Sequence, residues 1–154
     1  MKIGILGAGQ LGRMMAISGY PLNHQFGFSG HSNDEPSALL GHMFALENNA
    51  DNIESLAAFA DVITYESENT DVEIVRELNK DIPVYPGEKS LFTTQHRGRE
   101  KALFDKLNIP CAPYKMVNTL NDLRQAVSQI GLPAILKTAT EGYDGKGQFL
   151  MRSE

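Results

Sequence analysis

Tryptophan is absent and cysteine occurs once, at Cys111. A lone cysteine excludes an intramolecular disulfide, and no His or Cys spacing matches a zinc site. Cys111 therefore reads as a structural thiol. No stretch approaches the ~20 apolar residues that span a bilayer. The start, Met1-Lys2-Ile3-Gly4-Ile5-Leu6-Gly7, is too short and too glycine-rich for a secretory apolar segment. The expectation is a soluble, cytoplasmic protein with no membrane partner. Basic charge is in short supply, 14 Lys and Arg against 19 Asp and Glu, for a net charge of -5. That balance argues against a nucleic-acid partner, although basic residues can still gather at a local anion site. Seven prolines and fourteen glycines in 154 residues are too few for a low-complexity chain. The 42% hydrophobic and 21% charged fractions are those of an ordinary globular chain of about one domain, with part of a second.

The hydrophobic pattern alternates between strand and helix. Lys2 to Leu6 reads as a buried strand. A helix follows from Gln10 to Ser18, with Leu11, Met14, Met15 and Ile17 as its apolar face. Gln25 to Ser29 is a second strand. Asp51-Asn52-Ile53-Glu54 has the form of a capping box opening a helix through Ala60. Val62 to Tyr65 is β-branched and aromatic, hence a strand. A helix over Asp71 to Leu78 and a short strand at Val84-Tyr85 complete an α/β unit. Its open, mostly parallel sheet is expected to be flanked by helices.

Beyond Pro86-Gly87 the character changes. Arg97 to Leu107 reads as a charged helix, and Ile109 to Pro113 as an extended connector, because each proline biases its predecessor away from the helical region. Thr119 caps a helix to Ile130. Ala134 to Thr138 and Gln148 to Met151 are strands joined by a glycine-rich loop. The expected organisation is a substrate-binding α/β domain over 1–95, a connecting helix and linker over 96–112, and the beginning of a second domain over 113–154. One helix and a two-strand ribbon make a poor core, so the expectation is an N-terminal fragment of a longer protein.

Three places carry chemistry. Gly7-Ala8-Gly9-Gln10-Leu11-Gly12 fits G-x-G-x-x-G between a strand and a helix, where glycine lets a ligand approach a helix N-terminus. A dinucleotide would further require an acid at the end of the second strand. That strand ends Phe28-Ser29-Gly30-His31, and Asp34 and Glu35 arrive late. An NAD-dependent oxidoreductase is thereby disfavoured; another small ligand or a structural turn remains open. Glu66 and Glu68 follow the strand ending at Tyr65. Strand alternation would place them on one side, about 7 Å apart, able to bind hydroxyls or an amine; a solvated acidic turn is the other reading. Lys137 sits inside an apolar strand beneath Gly142-Tyr143-Asp144-Gly145-Lys146-Gly147-Gln148. Ammonium groups and glycine-loop amides suit a polyphosphate, and a plain hairpin turn is the alternative.

Taken together, GAGQLGRM at 7–14, TYESEN at 64–69, the Gln95 to Lys101 segment, and GLPAILK at 131–137 followed by GYDGKGQ at 142–148 resemble the ATP-grasp ligases. They are most similar to the purine-biosynthetic members. The resemblance implies ATP-dependent carboxylation of 5-aminoimidazole ribonucleotide with bicarbonate, through carboxyphosphate. It implies ATP contacts at Arg97, Lys137, Gly142, Tyr143, Asp144, Gly145, Lys146, Gly147 and Gln148. It implies substrate contacts at Gly9, Gln10, Leu11, Glu66 and Glu68, with either glutamate able to be the contacting one. Magnesium is implied too, with ligands beyond residue 154, so the fragment alone is expected to be inactive, and a homodimer is compatible with the family. A formate-dependent glycinamide ribonucleotide transformylase and a non-catalytic ligand-binding module remain alternatives. His96 stands where an acid is usual in this family, and Glu141 where a glycine is common.

Overall fold

The computed structural model describes residues 1–45, 50–142 and 145–153. The chain divides into two compact units, Met1–Phe92 and Thr93–Glu154.

The first unit is built on a four-stranded sheet of β1 (Lys2–Leu6), β2 (Gln25–Gly30), β3 (His42–Ala45) and β4 (Val62–Tyr65), in the order β3-β2-β1-β4. All three pairings are parallel. The helices are α1 (Gln10–Gly19), α2 (Ala50–Phe59), α3 (Val72–Leu78) and α4 (Glu88–Thr94), with short 3-10 turns at Tyr20–Leu22 and Ala38–Leu40. Parallel strands need crossover connections, and a sheet covered on both faces hides continuous apolar runs. The two faces can be read from adjacent residues of β1. Ile5 joins Ala8, Ala16, Phe26 and Phe28. Its neighbour Leu6 joins Leu56, Ile63, Val75, Leu78, Val84 and Leu91 on the other side. Successive side chains of a strand point to opposite faces, so β1 serves two cores.

Helix α1 does not lie as its apolar residues suggest. Leu11, Met14 and Ile17 are 53%, 62% and 50% exposed. The buried residues of α1 are Gly12, Ala16 and Gly19. Their i, i+4, i+7 spacing makes one face, and it is a face of small residues. A Cβ on Gly19 would collide with the Phe26 ring. Close approach to the sheet therefore selects the small face, and of the expected apolar residues only Met15 packs partly against that core.

Other boundaries differ for local reasons. Helix α2 already includes Ala50, so Asp51 lies within its first turn and not before it. Val84 makes only an isolated parallel bridge to Ile63. Asp71 is the N-cap of α3, accepting from the Glu73 amide at 2.9 Å. Strand β3 and helix α4 were not anticipated: His42–Ala45 is short, and Glu88–Thr94 mixes polar and apolar residues without a clear period.

The second unit contains α5 (Arg97–Lys106), α6 (Leu120–Ile130) and the antiparallel pair β5 (Ala134–Lys137) and β6 (Gln148–Met151), with Lys137 opposite Gln148. The His96 ring caps α5, its Nδ1 accepting from the Gly98 and Arg99 amides at 3.1 and 3.4 Å. Thr119 and Asp122 form a reciprocal capping box on α6. Its backbone hydrogen bonds, first of all from Asn118, hold the Asp122 carboxyl below the usual carboxylate value. Among the described residues no helix is long and apolar enough to cross a membrane.

Candidate functional site

In the first unit the chain leaves β1 through Gly7, whose φ of 114° lies where only glycine is at ease. Gly9 is the N-cap of α1 and has no side chain with which to satisfy the first amides of the helix. Glu66, the first residue after β4, does so. Its Oε2 accepts from the Gly9 and Gly12 amides at 3.0 and 2.9 Å, and its Oε1 from Gly9 at 3.3 Å. On the other side of the turn the Ser37 hydroxyl donates to the Gly9 carbonyl at 3.0 Å, and the Ser37 amide to the Ala8 carbonyl at 3.0 Å. Gly7 donates to the carbonyl and hydroxyl oxygens of Ser29. Ser29 and Ser37 are both buried. Neither was singled out from the sequence, where an isolated serine carries no signal of its burial.

A cleft of about 360 Å³ opens at the carboxyl ends of β1, β2 and β4. Its polar lining includes Ser29, His31, Glu35, Glu66, Asn69 and Asp71. Three carboxylates in one lining favour a ligand that offers hydroxyls or an amine. Glu66 is thus at the cleft. Glu68 is exposed and does not line it, because the strand ends at Tyr65 and residues 66–70 bend and turn, so alternation does not carry on. Gly9, Gln10 and Leu11 are also outside the lining. Leu11 lines a second groove with Met14, Met15 and Leu22, which Glu66 borders as well. The acid missing after β2 in sequence returns in space. Glu35 folds back to accept from the His31 amide, and from Ser32 at 3.1 Å.

In the second unit a smaller cleft of about 190 Å³ is lined by Arg97, Lys101, Lys115 and Lys137. Lys137 reaches it from the end of β5, Arg97 and Lys101 from α5, and Lys115 from the connector before α6. Tyr114, also in the lining, donates to Asp105 at 2.7 Å, and that bond pushes its phenol up from the ordinary value. Lys101 and Lys115 were not assigned to the nucleotide from sequence. Lys115 sits in an extended connector whose pattern does not say which side chain turns inward.

The glycine loop is anchored at its base. The Arg97 Nε donates to the Thr138 carbonyl at 2.9 Å and its Nη2 to the Gly142 carbonyl at 3.0 Å. The Arg97 amide bonds Ala139 O, and the Thr138 amide bonds Gly147 O, both at 2.8 Å. Gly145 and Gly147 have φ of 79° and 67°. A Cβ on Gly147 would stand 2.7 Å from the Thr138 hydroxyl oxygen. Lys146 is exposed, and Gln148 sits in register with Lys137. Tyr143 and Asp144 lie outside the described residues. Among the described residues no group of three or more His, Cys, Asp or Glu is placed to hold a metal ion.

Comparison with known proteins follows the same division. The family of the ribonucleotide synthetase preATP-grasp domain matches residues 1–95, and the ATP-grasp domain matches residues 102–154. The N5-carboxyaminoimidazole ribonucleotide synthase of Pseudomonas aeruginosa is 43% identical over 99% of this chain and 42% of its own length. That of Bacillus subtilis is 39% identical over 99% of this chain and 40% of its own. A crystal structure of an N5-carboxyaminoimidazole ribonucleotide synthetase with ADP superposes with a TM-score of 0.90 at 36% identity, over 99% of this chain and 41% of that one. The Aspergillus clavatus enzyme in complex with ADP and 5-aminoimidazole ribonucleotide gives a TM-score of 0.83 at 28% identity, over 99% and 40%. The chain therefore spans about two fifths of the length of these relatives. With its parallel sheet, its strand-end cleft and a family match over 1–95, the chain belongs to the ribonucleotide synthetase preATP-grasp family and continues into an ATP-grasp domain.

Proposed function

We propose that this chain takes part in the ATP-dependent carboxylation of 5-aminoimidazole ribonucleotide by bicarbonate. The observation that carries the reading is the cleft in which Arg97, Lys101, Lys115 and Lys137 meet beside a glycine loop. Four like charges around one small cleft repel one another, and a polyphosphate offsets that repulsion. Arg97 keeps donors beyond the two it gives to the Thr138 and Gly142 carbonyls, and the lysines act as point charges. The loop residues Gly142, Gly145, Lys146, Gly147 and Gln148 close over the phosphates, joined by Tyr143 and Asp144. Residues 1–95 form the substrate domain, 96–112 connect, and 113–154 begin the ATP-grasp domain.

The ribonucleotide is assigned to the strand-end cleft of the first unit. Its amine and ribose hydroxyls match the carboxylate-rich lining there. Magnesium, when bound, offsets charge on the transferring phosphoryl group; among the described residues no group of three or more His, Cys, Asp or Glu is placed to hold it. The contribution of this chain is positioning and electrostatic stabilisation. Relatives named N5-carboxyaminoimidazole ribonucleotide synthase support the substrate assignment.

The test is ADP release by the protein carrying this sequence. Release that depends on bicarbonate and aminoimidazole ribonucleotide is expected. Dependence on formate and glycinamide ribonucleotide would replace this reading with the transformylase. Lys137→Met is expected to weaken ATP binding roughly tenfold or more, the loss of a hydrogen bond to a charged group costing about 1.5–3 kcal/mol. Unchanged ATP affinity in that variant would remove Lys137 from the nucleotide site.

A further inference from the structure

We propose that Glu66 is an internal anion. Its carboxylate occupies the seat at the α1 N-terminus where a G-x-G-x-x-G turn would otherwise hold a ligand's phosphate. The turn is thereby closed to dinucleotides, and Glu66 is a positioning residue for the cleft beside it.

The geometry is specific. A phosphate bound by such a turn accepts from the first amides of the helix. Here the amides of Gly9 and Gly12 both donate to Glu66 Oε2, at 3.0 and 2.9 Å, and Gly9 also reaches Oε1 at 3.3 Å. An incoming phosphate and this carboxylate cannot share those donors, and their like charges repel. The partial positive charge of the helix N-terminus further favours the carboxylate.

The glycines tell the same story. A Cβ on Gly7 would collide with Glu66 Cγ. One on Gly9 would stand 2.8 Å from Glu66 Oε1, and one on Gly12 would stand 3.0 Å from Oε2. The motif's glycines make room for a side chain of the same protein, 54 to 59 positions further along the chain, and not for a cofactor. A sequence that fits the dinucleotide spacing has thus filled its phosphate seat with its own carboxylate. The inference rests on residues 1–92 alone and does not depend on the nucleotide assigned to the second unit.

The experiment titrates inorganic pyrophosphate into the ¹⁵N-labelled chain at constant ionic strength and follows the Gly9 and Gly12 amides. In the wild type these amides should not move. In Glu66→Ala they should move in a saturable way, with an affinity at least roughly tenfold above that of wild type. The variant's melting temperature should rise with pyrophosphate by more than that of wild type, in which only the basic cleft of the second unit takes the anion. If Glu66→Ala is unfolded without anion, pyrophosphate should restore its native spectrum. Glu66→Gln, which keeps the shape and loses the charge, should melt a few degrees below wild type, by less as salt is raised. Saturable pyrophosphate shifts at Gly9 and Gly12 in the wild type would overturn the proposal. So would a Glu66→Ala chain, folded or unfolded, that is indifferent to pyrophosphate, or a Glu66→Gln chain that melts with the wild type.

Discussion

Glu141 holds its backbone at φ 63°, immediately before the glycine loop. For a residue with a Cβ the left-handed region costs about 1–2 kcal/mol. Glycine gives back part of that gain through its freer unfolded chain, about 0.5–1 kcal/mol. Glu141→Gly should therefore raise stability by ~0.5–1 kcal/mol, read as a higher urea midpoint for the second unit. The same balance explains why glycine suits this position. His96 is a second case of a residue standing in for another. Its ring nitrogen accepts the two amides that an aspartate would accept at the start of α5. His96→Asp keeps the acceptor and adds a negative charge at a helix N-terminus, worth about 0.3–1 kcal/mol. Slower amide exchange in the first turn of α5 is the expected result; faster exchange would mean that the imidazole is the better cap.

At the scale of elements, α6 shows how a cap couples to pH. Asp122 accepts from the Asn118 and Thr119 amides, both at 3.0 Å, while its own amide donates to the Thr119 hydroxyl at 3.1 Å. These bonds favour the ionised form, so the folded carboxyl titrates below its unfolded value. The stabilisation is therefore fully present above the ordinary aspartate value of about 3.9 and fades as pH falls through the lower, folded value. Acidification below about pH 4 should lower the amide protection factors at the start of α6 in the wild type. Asp122→Asn should exchange faster at neutral pH and lose most of that acid dependence. An identical acid response in both proteins would assign the acid sensitivity to another group. Helix α1 shows a different rule for elements. Its packing follows the small residues Gly12, Ala16 and Gly19, because a helix that must sit close to a sheet turns its least bulky side inward.

For the whole molecule, the distribution of the core matters most. Among the described residues every buried apolar side chain except Ala126 lies in Met1–Phe92. Both hydrophobic clusters lie there as well. A chain of residues 1–95 should therefore fold and melt cooperatively by circular dichroism, with native-like dispersion of its amide resonances. A non-cooperative melt would show that the first unit draws its stability from elsewhere. The exposed Ile135, Phe149 and Leu150 of the second unit's ribbon contrast with this.

The alternation of strands and helices apart from β3 and α4, the change of character after Pro86-Gly87, the Thr119 cap and the two glycine-rich stretches were legible in the sequence. Each depends on local rules: period, capping chemistry and the freedom of glycine. The parallel α/β class and the position of Lys137 on a strand followed from the same rules. What only the tertiary structure decided was which atoms meet. Glu66 lies 54 positions beyond Gly12, and no local pattern announces that contact. Ser37, Lys101 and Lys115 likewise gain their partners or their cleft from the fold. Local preferences act through neighbours a few residues apart, whereas a site is made by long-range packing that brings distant side chains to the same amides.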